Sequence, residues 1–435
     1  MRRLRAILAA VGVFVMFGAR APASAKWAAL TPAEFIDTEG VNTHISYVDG
    51  AYRDVDRVIA DLAYLGIRHI RDGLVVPGQN AVPGFDTYAR VASAGIHFLL
   101  VVGGDYPLSS LTTRLAFARD LLAYTPGSVD ALEGPNEINN WPIIFEGLGP
   151  PHELAAALAF QRVLYTAAHA AFPLLPHGLP VYYLTGYAAG GIPIGPDPLR
   201  VPGLADFNVQ HPYPKHGDPP APALARARAL PNTTDPAEQA VYTETGYSTN
   251  GGHDGVDADV QGKYTIDLLL DAAEQGIART YIYELLDAYP TGSRQGNAGF
   301  GLFDTSGAPK PAARFIRAMN SILRRCATGR ITADRPVVTV ANLPDTAHQL
   351  AFRAADGLVL ALWDEPRLWD PALGIRLQAA PHNVDVKVAS PGGWRLTLFD
   401  PEHGSGPVET KNAPTLQVTL GDHALFVRIE RVPGG

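Results

Sequence analysis

Short apolar runs alternate with longer helical patterns from residue 35 to residue 325. The runs have the length of strands, and many of the helical patterns end at a glycine, which is a helix-stop signal. The predicted strands are Phe35–Thr43, Ile67–Arg71, His97–Val102, Ala131–Glu137, Pro180–Thr185, Phe207–Gln210, Ala240–Glu244 and Thr280–Leu285. The predicted helices are Arg53–Leu65, Phe85–Ala94, Leu111–Tyr124, Glu153–Phe172, Ala221–Leu230, Val260–Gln275 and Pro311–Arg325.

This alternation has the size and rhythm of a (β/α)8 TIM barrel, which needs eight strand–helix pairs in roughly 250 residues or more. A doubly wound parallel sheet alternates in the same way. However, no Gly-x-Gly-x-x-Gly pattern follows the first predicted strand, as a dinucleotide-binding sheet of that kind would require. We therefore expect an α/β protein whose larger domain is a (β/α)8 TIM barrel.

After residue 330 the pattern changes to short β-rich runs separated by turn residues, with no helical pattern between them. The runs are Pro336–Val340, Gln349–Arg353, Leu358–Leu362, Val384–Val388, Trp394–Phe399, Leu416–Leu420 and Ala424–Ile429. Such runs are typical of an antiparallel β-sandwich. The sequence therefore predicts a catalytic barrel over residues 26–328 and a small β-sandwich over residues 329–435.

The first 25 residues have the composition of an export signal. A basic start precedes the apolar run Ala6–Ala19, and Ala23-Ser24-Ala25 is a small-x-small cleavage site. A membrane anchor is the alternative, but the apolar run is short for a span and its downstream flank suits cleavage. We expect an exported protein, periplasmic or secreted, with no stable membrane insertion after the signal peptide is removed.

The charge balance argues against nucleic-acid binding. The net charge is −8, and it becomes −12 without the signal segment, which carries four arginines and no acidic residue. An acidic chain without a basic run is a poor ligand for nucleic acid or anionic membranes. The single cysteine, Cys326, excludes an internal disulfide and is expected to pack in the core.

No Cys or His residues have the spacing of metal ligands, and we expect neither a metal nor an organic cofactor. The stretch His253–Asp259 has a superficial likeness to a calcium-binding loop. It lacks the closing glutamate of such loops, which favours a solvated surface loop.

Polar residues gather where the predicted barrel strands end. In a TIM barrel the C-terminal strand ends form the face that carries the chemistry. These ends supply His44, Arg71, Asp105, Asn136, Glu137, His211, Tyr213, Glu244 and Glu284. The opposite strand ends supply nothing comparable, and polar groups collected at one end of an apolar scaffold indicate a site.

Two carboxylates at one barrel mouth suit the cleavage of a glycosidic bond. One acid must protonate the leaving oxygen, and a second carboxylate about 5–5.5 Å away can act as a nucleophile with retention of configuration. Their environments must differ, because the two groups need different pKa values. Arg71 is the available cation, and Tyr213 is an available hydrogen-bond donor.

Four motifs in this order resemble those of clan A retaining glycoside hydrolases. The motifs are Asn136-Glu137 after strand four, Glu244 after strand seven, Arg71 after strand two and His211-x-Tyr213 after strand six. The C-terminal sandwich resembles the companion domain of families 39 and 30, and the His-x-Tyr pattern is also similar to that of family 5. The resemblance implies a (β/α)8 enzyme that acts on a carbohydrate, with Glu137 as acid/base and Glu244 as nucleophile.

The same resemblance implies supporting roles. Asn136 would bind the sugar 2-hydroxyl, Arg71 and Tyr213 would hold Glu244 ionised, and His211 would line the site near Glu137. The sequence departs from the family pattern in two places. Tyr283-Glu284 lies where a Trp often follows strand eight, so Glu284 is expected to bind a hydroxyl instead. Asp105-Tyr106 lies where a His often follows strand three.

Several further residues have two interpretations. Trp141 is a candidate platform for a leaving-group sugar, but packing within its own loop is an equal alternative. Tyr247 is a candidate subsite wall, and His44 and Asp105 are candidate substrate contacts. Glu133 shares a strand face with Glu137 if side chains alternate, so it needs a buried partner and is expected to support the site.

Other classes of function remain alternatives at this stage. One is a catalytically inactive carbohydrate-binding protein on a hydrolase-like barrel. A second is a metal-dependent barrel hydrolase, which would need His-x-His after strand one, where only Thr43-His44 is found. A third is an adhesion protein in which the sandwich binds and the barrel is a scaffold.

Overall fold

The structure is a computed structural model of the chain. It describes residues 23–28, 30–74, 84–103, 108–172, 178–186, 204–229, 239–251, 254–290, 299–327 and 336–432. Of the residues singled out above, Asp105 and most of the predicted export signal lie outside the described residues. None of the helices in the described ranges is long and apolar enough to cross a lipid bilayer.

The barrel predicted from the sequence is confirmed. The strands up to residue 282 are β1 (Ala23–Ser24), β2 (Glu39–Asn42), β3 (His69–Gly73), β4 (His97–Val101), β5 (Val129–Glu133), β6 (Val181–Tyr182), β7 (Asn208–Gln210), β8 (Ala240–Thr245) and β9 (Thr280–Ile282). Strands β2 to β9 form one parallel sheet in the order β6-β5-β4-β3-β2-β9-β8-β7. A parallel bridge between Tyr182 and Phe207 joins its two edges, so the sheet closes on itself.

Helices connect these strands and surround the barrel. They are α1 (Pro32–Asp37), α2 (Val55–Leu65), α3 (Phe85–Ser93), α4 (Leu108–Tyr124), α5 (Glu153–Ala171), α6 (Pro220–Ala229), α7 (Ala258–Glu274) and α8 (Pro311–Cys326). Helix α2 ends at Gly66, which adopts a left-handed φ of 76° as the helix-stop pattern predicts. Cys326 is buried at the end of α8, as expected from its packing role.

The first predicted strand was wrong in its first half. Residues 35–37 belong to helix α1, and the strand begins only at Glu39. The helix is specified by a capping box in which the Thr31 side chain accepts from the Glu34 amide and the Glu34 carboxylate accepts from the Thr31 amide. Pro32 at the first helical position supports the same start. These local helix signals outweigh the apolar residues Phe35 and Ile36, which resembled the start of a strand.

The C-terminal domain is an antiparallel β-sandwich, as predicted. Its strands are β10 (Val338–Ala341), β11 (Ala347–Ala354), β12 (Gly357–Asp364), β13 (Trp369–Asp370), β14 (Ile375–Arg376), β15 (His382–Val388), β16 (Trp394–Phe399), β17 (Pro407–Lys411), β18 (Thr415–Leu420) and β19 (Leu425–Arg431). One sheet has the order β1-β10-β15-β18 and the other β11-β12-β19-β16-β17, while β13 and β14 form a separate hairpin. The sequence pattern missed β17, an edge strand whose residues are mostly exposed and polar.

The N-terminal residues of the described chain belong to the sandwich rather than the barrel. Strand β1 pairs with β10, and Trp27 forms a bridge with Ala351 in β11. The boundary drawn from the sequence placed the whole sandwich after residue 328. The structure adds residues 23–28 to it, because pairing between residues more than 300 positions apart leaves no local pattern.

Helix α7 lies between the barrel sheet and the sandwich, which explains why all of its residues from Val260 to Ala272 are buried. Polar contacts attach it to the sandwich. The Trp363 indole donates to Asp271 at 3.0 Å, and Lys263 forms an ion pair with Asp422 at 2.7 Å. A helix that is buried on every side has lost its usual solvent face, so its charged residues need partners.

Glu39 lies at the N-terminal end of β2, at the opposite end of the barrel from the C-terminal strand ends. Its side chain is fully buried, and Oε2 accepts from Asn320 Nδ2 at 2.7 Å. Burial raises the pKa of Glu39 to about 8, although the hydrogen bond from Asn320 acts in the opposite direction. The native state therefore retains a proton that the unfolded chain loses near its ordinary pKa of 4.5.

This difference makes a prediction about stability. The free energy of unfolding should fall as pH rises from 4.5 to about 8, because the native state alone binds the proton in this interval. Glu39→Gln should raise the melting temperature at pH 8 and have a smaller effect at pH 5, measured by calorimetry. The exposed Glu146→Gln serves as the matched control. An equal effect of Glu39→Gln at both pH values would contradict the assignment.

Candidate active site

Arg71, near the C-terminal end of β3, is the centre of the hydrogen-bond network at the barrel mouth. Its Nε and Nη2 donate to the two carboxylate oxygens of Glu133 at 2.6 and 2.9 Å. Its Nη1 donates to Glu244 Oε1 at 2.6 Å and to Asn42 Oδ1 at 3.0 Å, and Nη2 also donates to Asn136 Oδ1 at 2.6 Å. One rigid guanidinium thus fixes four side chains from three strand ends, those of β2, β5 and β8.

Glu244, on β8, is held as an anion. Its Oε1 accepts from Arg71 and its Oε2 accepts from the Tyr213 hydroxyl at 2.9 Å. Burial alone would raise the pKa of Glu244, but the nearby imidazole of His211, the charge of Arg71 and the hydrogen bonds from Tyr213 and Arg71 outweigh it. The pKa of Glu244 therefore lies below its ordinary value. Arg71 and Tyr213 are thus the side chains that donate hydrogen bonds to the Glu244 carboxylate.

Glu137 follows β5 by four residues and has a different environment. Its Oε1 lies 2.9 Å from His211 Nδ1, and its Oε2 accepts from Asn140 Nδ2 at 3.1 Å. The backbone of Glu137 has a left-handed φ of 42°, and its amide donates to Thr185 Oγ1 at 2.8 Å. A non-glycine residue in this conformation is held by its surroundings, as is often found at functional sites.

The separation of the two carboxylates is short. One oxygen of Glu137 and one oxygen of Glu244 lie within 4.8 Å of each other, and both lie within the same distance of a ring nitrogen of His211. This spacing falls short of the roughly 6.5–9.5 Å that an inverting pair of carboxyl groups needs to admit a water molecule. It suits a pair in which one carboxylate attacks and the other transfers a proton.

The same three residues have a spacing that could hold a metal ion. Their atoms already bond to protein groups, because Glu244 accepts from Arg71 and Tyr213 while His211 Nδ1 contacts Glu137. The chemistry of this donor set therefore fits a hydrogen-bonded site. Other described groups with such spacing are Asp271, Glu274 and His348, and Glu402, Asp422 and His423.

Asn136 is half-buried beside Glu137 at the mouth. Its Oδ1 accepts from Arg71, which orients the side-chain amide. This orientation leaves Nδ2 as the donor that can reach a hydroxyl of a bound molecule. The position predicted for a hydroxyl-binding amide is therefore consistent with the geometry around Arg71.

Glu284 follows β9 and lies beneath the mouth. Its Oε2 accepts from the Tyr52 hydroxyl at 3.1 Å and lies 3.4 Å from His44 Nε2. Burial raises the pKa of Glu284 well above its ordinary value. Desolvation lowers the pKa of His44 to about 4, so its imidazole is uncharged at neutral pH.

Aromatic rings line the mouth above Glu284. Tyr213, Tyr283 and Phe300 contact one another edge to face, with ring centroids 5.5 to 6.4 Å apart. His44 stacks on Tyr47 at 4.5 Å and lies 3.1 Å from the Tyr283 hydroxyl. The apolar faces and hydroxyl groups of such rings suit a sugar, which also has apolar faces and hydroxyl edges.

Two of the candidate substrate contacts occupy very different places. Trp141 is 68% exposed, which excludes packing within its loop, and its amide donates to the Glu137 carbonyl at 2.8 Å. Tyr247, in contrast, is buried, packs on Tyr264 and donates to the Asp218 carbonyl. The prediction that Tyr247 forms a subsite wall was therefore wrong, because its strand-end position directs the ring into the core.

Several residues of the network were not identified as site residues from the sequence. Thr243 bonds both His211 and Glu133, Asn42 accepts from Arg71, and Asn140 donates to Glu137. Asn42 lies at the end of a predicted strand, which was an available signal. Thr243 has no such signal, because a threonine inside a β-rich run is ordinary. Glu133 has the buried partner that alternation along the strand required.

Comparison with known proteins gives a likeness in fold. No protein-family model matches the chain, and no curated protein sequence matches it. A monomeric beta-xylosidase from Caulobacter crescentus CB15 superposes with a TM-score of 0.60 and 16% identity, over 94% of this chain and 98% of that chain. A family 39 glycoside hydrolase from Bacteroides cellulosilyticus WH2 gives 0.59 and 16%, over 92% and 82%.

A third solved structure is a family 39 glycoside hydrolase from Xanthomonas axonopodis pv. citri. It gives a TM-score of 0.56 and 12% identity, over 97% of this chain and 100% of that chain. The likeness therefore spans both domains. It defines the class of structure as a (β/α)8 barrel joined to a β-sandwich. The resemblance to families 39 and 30 that the C-terminal sandwich indicated is thus matched, for family 39, by a likeness in fold over more than nine-tenths of the chain.

Proposed function

We propose that this protein is a retaining glycoside hydrolase. The observation that carries the proposal is the pair Glu137 and Glu244, whose oxygens lie within 4.8 Å at the C-terminal end of a (β/α)8 barrel. Their environments differ as the reaction requires, because Glu244 is paired with Arg71 and Glu137 is not. The fold likeness to family 39 glycoside hydrolases supports the same class of reaction.

In the first step the ionised Glu244 attacks the anomeric carbon. The bond to the leaving oxygen breaks, and that oxygen takes a proton from Glu137. In the second step Glu137 removes a proton from water, the water oxygen attacks the anomeric carbon, and the ester bond to Glu244 breaks. The sugar is released with its original anomeric configuration, and both carboxyl groups return to their starting states.

The substrate is proposed to be an oligosaccharide or polysaccharide. Asn136 would bind the 2-hydroxyl, with its oxygen held by Arg71 so that Nδ2 donates. His44, Tyr283 and Glu284 would meet the other hydroxyls of the same sugar. Because a beta-xylosidase is among the proteins of similar fold, β-xylosides belong first in any substrate panel.

Export remains part of the proposal, on the basis of the N-terminal signal pattern. Cleavage after Ala25 would remove strand β1 and leave Lys26–Ala28, whose backbone bonds Ala351. N-terminal sequencing of the protein from culture medium or periplasm tests this, and a chain that still begins at residue 1 would contradict it.

The function is tested with a panel of aryl glycosides and polysaccharides, followed by proton NMR of the released sugar. We expect turnover of at least one substrate, with the first-formed product in the configuration of the substrate. A product of inverted configuration would exclude the retaining mechanism. Sugar binding without turnover by any member of the panel would favour the inactive carbohydrate-binding alternative.

Trp141 provides a separate prediction. Its ring is exposed and its amide donates to the Glu137 carbonyl, so we expect the ring to contact the leaving group that Glu137 protonates. Stacking on an aromatic ring contributes about 0.5–1.5 kcal/mol, so Trp141→Ala should raise KM about two- to tenfold for an oligosaccharide. The KM for a small aryl glycoside should change little, and Trp141→Phe should retain most of the affinity. Equal effects on both substrates would contradict a leaving-group site.

A further inference from the structure

A hydrogen-bond chain runs from Glu133 through Thr243 to His211. Thr243 Oγ1 lies 3.1 Å from Glu133 Oε1 and 3.0 Å from His211 Nε2. The other ring nitrogen, Nδ1, lies 2.9 Å from Glu137 Oε1 and 3.6 Å from Glu244 Oε2. The imidazole therefore connects the two proposed catalytic carboxylates to a buried residue that the mechanism above does not use.

The directions of these hydrogen bonds follow from the groups that take part. Glu133 accepts two hydrogen bonds from Arg71, so it is an anion and can only accept. Thr243 has a single hydroxyl proton and must donate it to Glu133. Its oxygen then accepts from His211, which places a proton on Nε2.

A fixed proton on Nε2 has a consequence for Glu137. If Glu137 were ionised and His211 neutral, a bare Nδ1 would face a carboxylate oxygen at 2.9 Å, and the two lone pairs would repel each other. The pair avoids this state by keeping one proton between Glu137 Oε1 and His211 Nδ1. This is the proton that the first step transfers to the leaving oxygen.

We propose that Thr243 is a positioning residue that, with Glu133, selects the Nε2-protonated form of His211 and so keeps a transferable proton on Glu137. This inference rests on the proposed function for its effect on rate, but not for its effect on the imidazole. Without the Thr243 hydroxyl, neutral His211 could carry its proton on Nδ1 and donate it to ionised Glu137, which would then have no proton to transfer.

The charged groups around His211 are consistent with this selection. Carboxyl oxygens of Glu137 and Glu244 face Nδ1, and the anion Glu133 acts on Nε2 through Thr243. The cation Arg71 is saturated by Glu133 and Glu244. Carboxyl oxygens beside Nδ1 would draw the proton of a neutral imidazole to that side, so the Nε2 form needs the acceptor that Thr243 provides.

The first test observes the imidazole directly. In protein labelled with ¹⁵N-histidine, long-range proton–nitrogen spectra at neutral pH distinguish which ring nitrogen carries the proton, and the His211 signals are assigned by their absence in His211→Gln. We expect wild type and Thr243→Ser in the Nε2-protonated form. Thr243→Val, which keeps the shape and removes the hydroxyl, should shift His211 toward the Nδ1-protonated form.

Thr245→Val is the matched control, because Thr245 lies on the same strand and is also buried. Its hydroxyl donates to the Pro212 carbonyl rather than to Glu133 or His211. It should leave the His211 tautomer unchanged. A wild-type His211 protonated on Nδ1, or the same tautomer in wild type and Thr243→Val, would overturn the proposal.

The second test is the pH profile of kcat/KM, measured with a glycoside that the wild-type protein hydrolyses. Thr243→Val should move the alkaline limb to lower pH by about one unit, the size expected from one hydrogen bond to an ionised network. Thr243→Ser should restore the wild-type limb, and an unmoved limb in Thr243→Val would overturn the proposed role. Absence of turnover in wild type would refute the proposed function, whereas the tautomer result would still decide whether Thr243 orients His211.

Discussion

Glu244→Gln is expected to lower kcat by at least about 10⁴-fold, which corresponds to about 5.4 kcal/mol of lost transition-state stabilisation. The amide keeps the shape of the side chain but cannot form the covalent intermediate. Substrate should still bind, because Arg71, Tyr213 and the aromatic rings of the mouth remain. The measurement is kcat on the best aryl glycoside of the panel, with substrate binding followed by calorimetry.

Glu39→Gln is the matched control for this variant. It makes the same chemical change at a fully buried carboxyl at the other end of the barrel, and it should retain turnover. Glu244→Ala provides a further criterion, because the smaller side chain leaves room for azide. Added azide should then restore turnover and give a glycosyl azide of inverted configuration. Wild-type turnover by Glu244→Gln without added nucleophile would refute the assignment.

Glu137→Ala is expected to have an effect that depends on the leaving group. Loss of a general acid typically costs about 10²- to 10⁴-fold in rate when the leaving oxygen needs a proton. A dinitrophenyl glycoside needs none, so its first step should proceed and the glycosyl-enzyme should accumulate. A burst of dinitrophenol followed by slow turnover is the expected observation in stopped-flow measurements.

Azide also distinguishes the acid/base residue from the nucleophile. Azide needs no general base, so it should accelerate the second step of Glu137→Ala and give a glycosyl azide of retained configuration. The matched control is Glu39→Gln, which alters a buried carboxyl at the opposite end of the barrel. It should leave the rates on all leaving groups close to those of the wild type. An equal loss on all leaving groups in Glu137→Ala would contradict its role as the acid.

The sequence determined the class of fold because each barrel strand and helix carries its own period of apolar residues. It also identified the carboxylate pair, since the residues that follow parallel strands must meet at one end of a barrel. The sequence therefore places Glu137 and Glu244 at the same end of the barrel, although it does not show which residues they contact. The local capping signals before Glu39, which the strand prediction overlooked, were also present in the sequence.

Only the tertiary structure decided which neighbours each carboxylate has. Arg71 bonds Glu133 and Glu244, which are 62 and 173 positions away along the chain, and no local pattern records such a choice. The sequence also did not decide that Tyr247 is buried and Trp141 exposed, because both residues follow strand ends and only packing distinguishes them. The proposed role of Thr243 also depends on the tertiary structure. Closure of the barrel places the hydroxyl of this ordinary strand residue between Glu133 and His211.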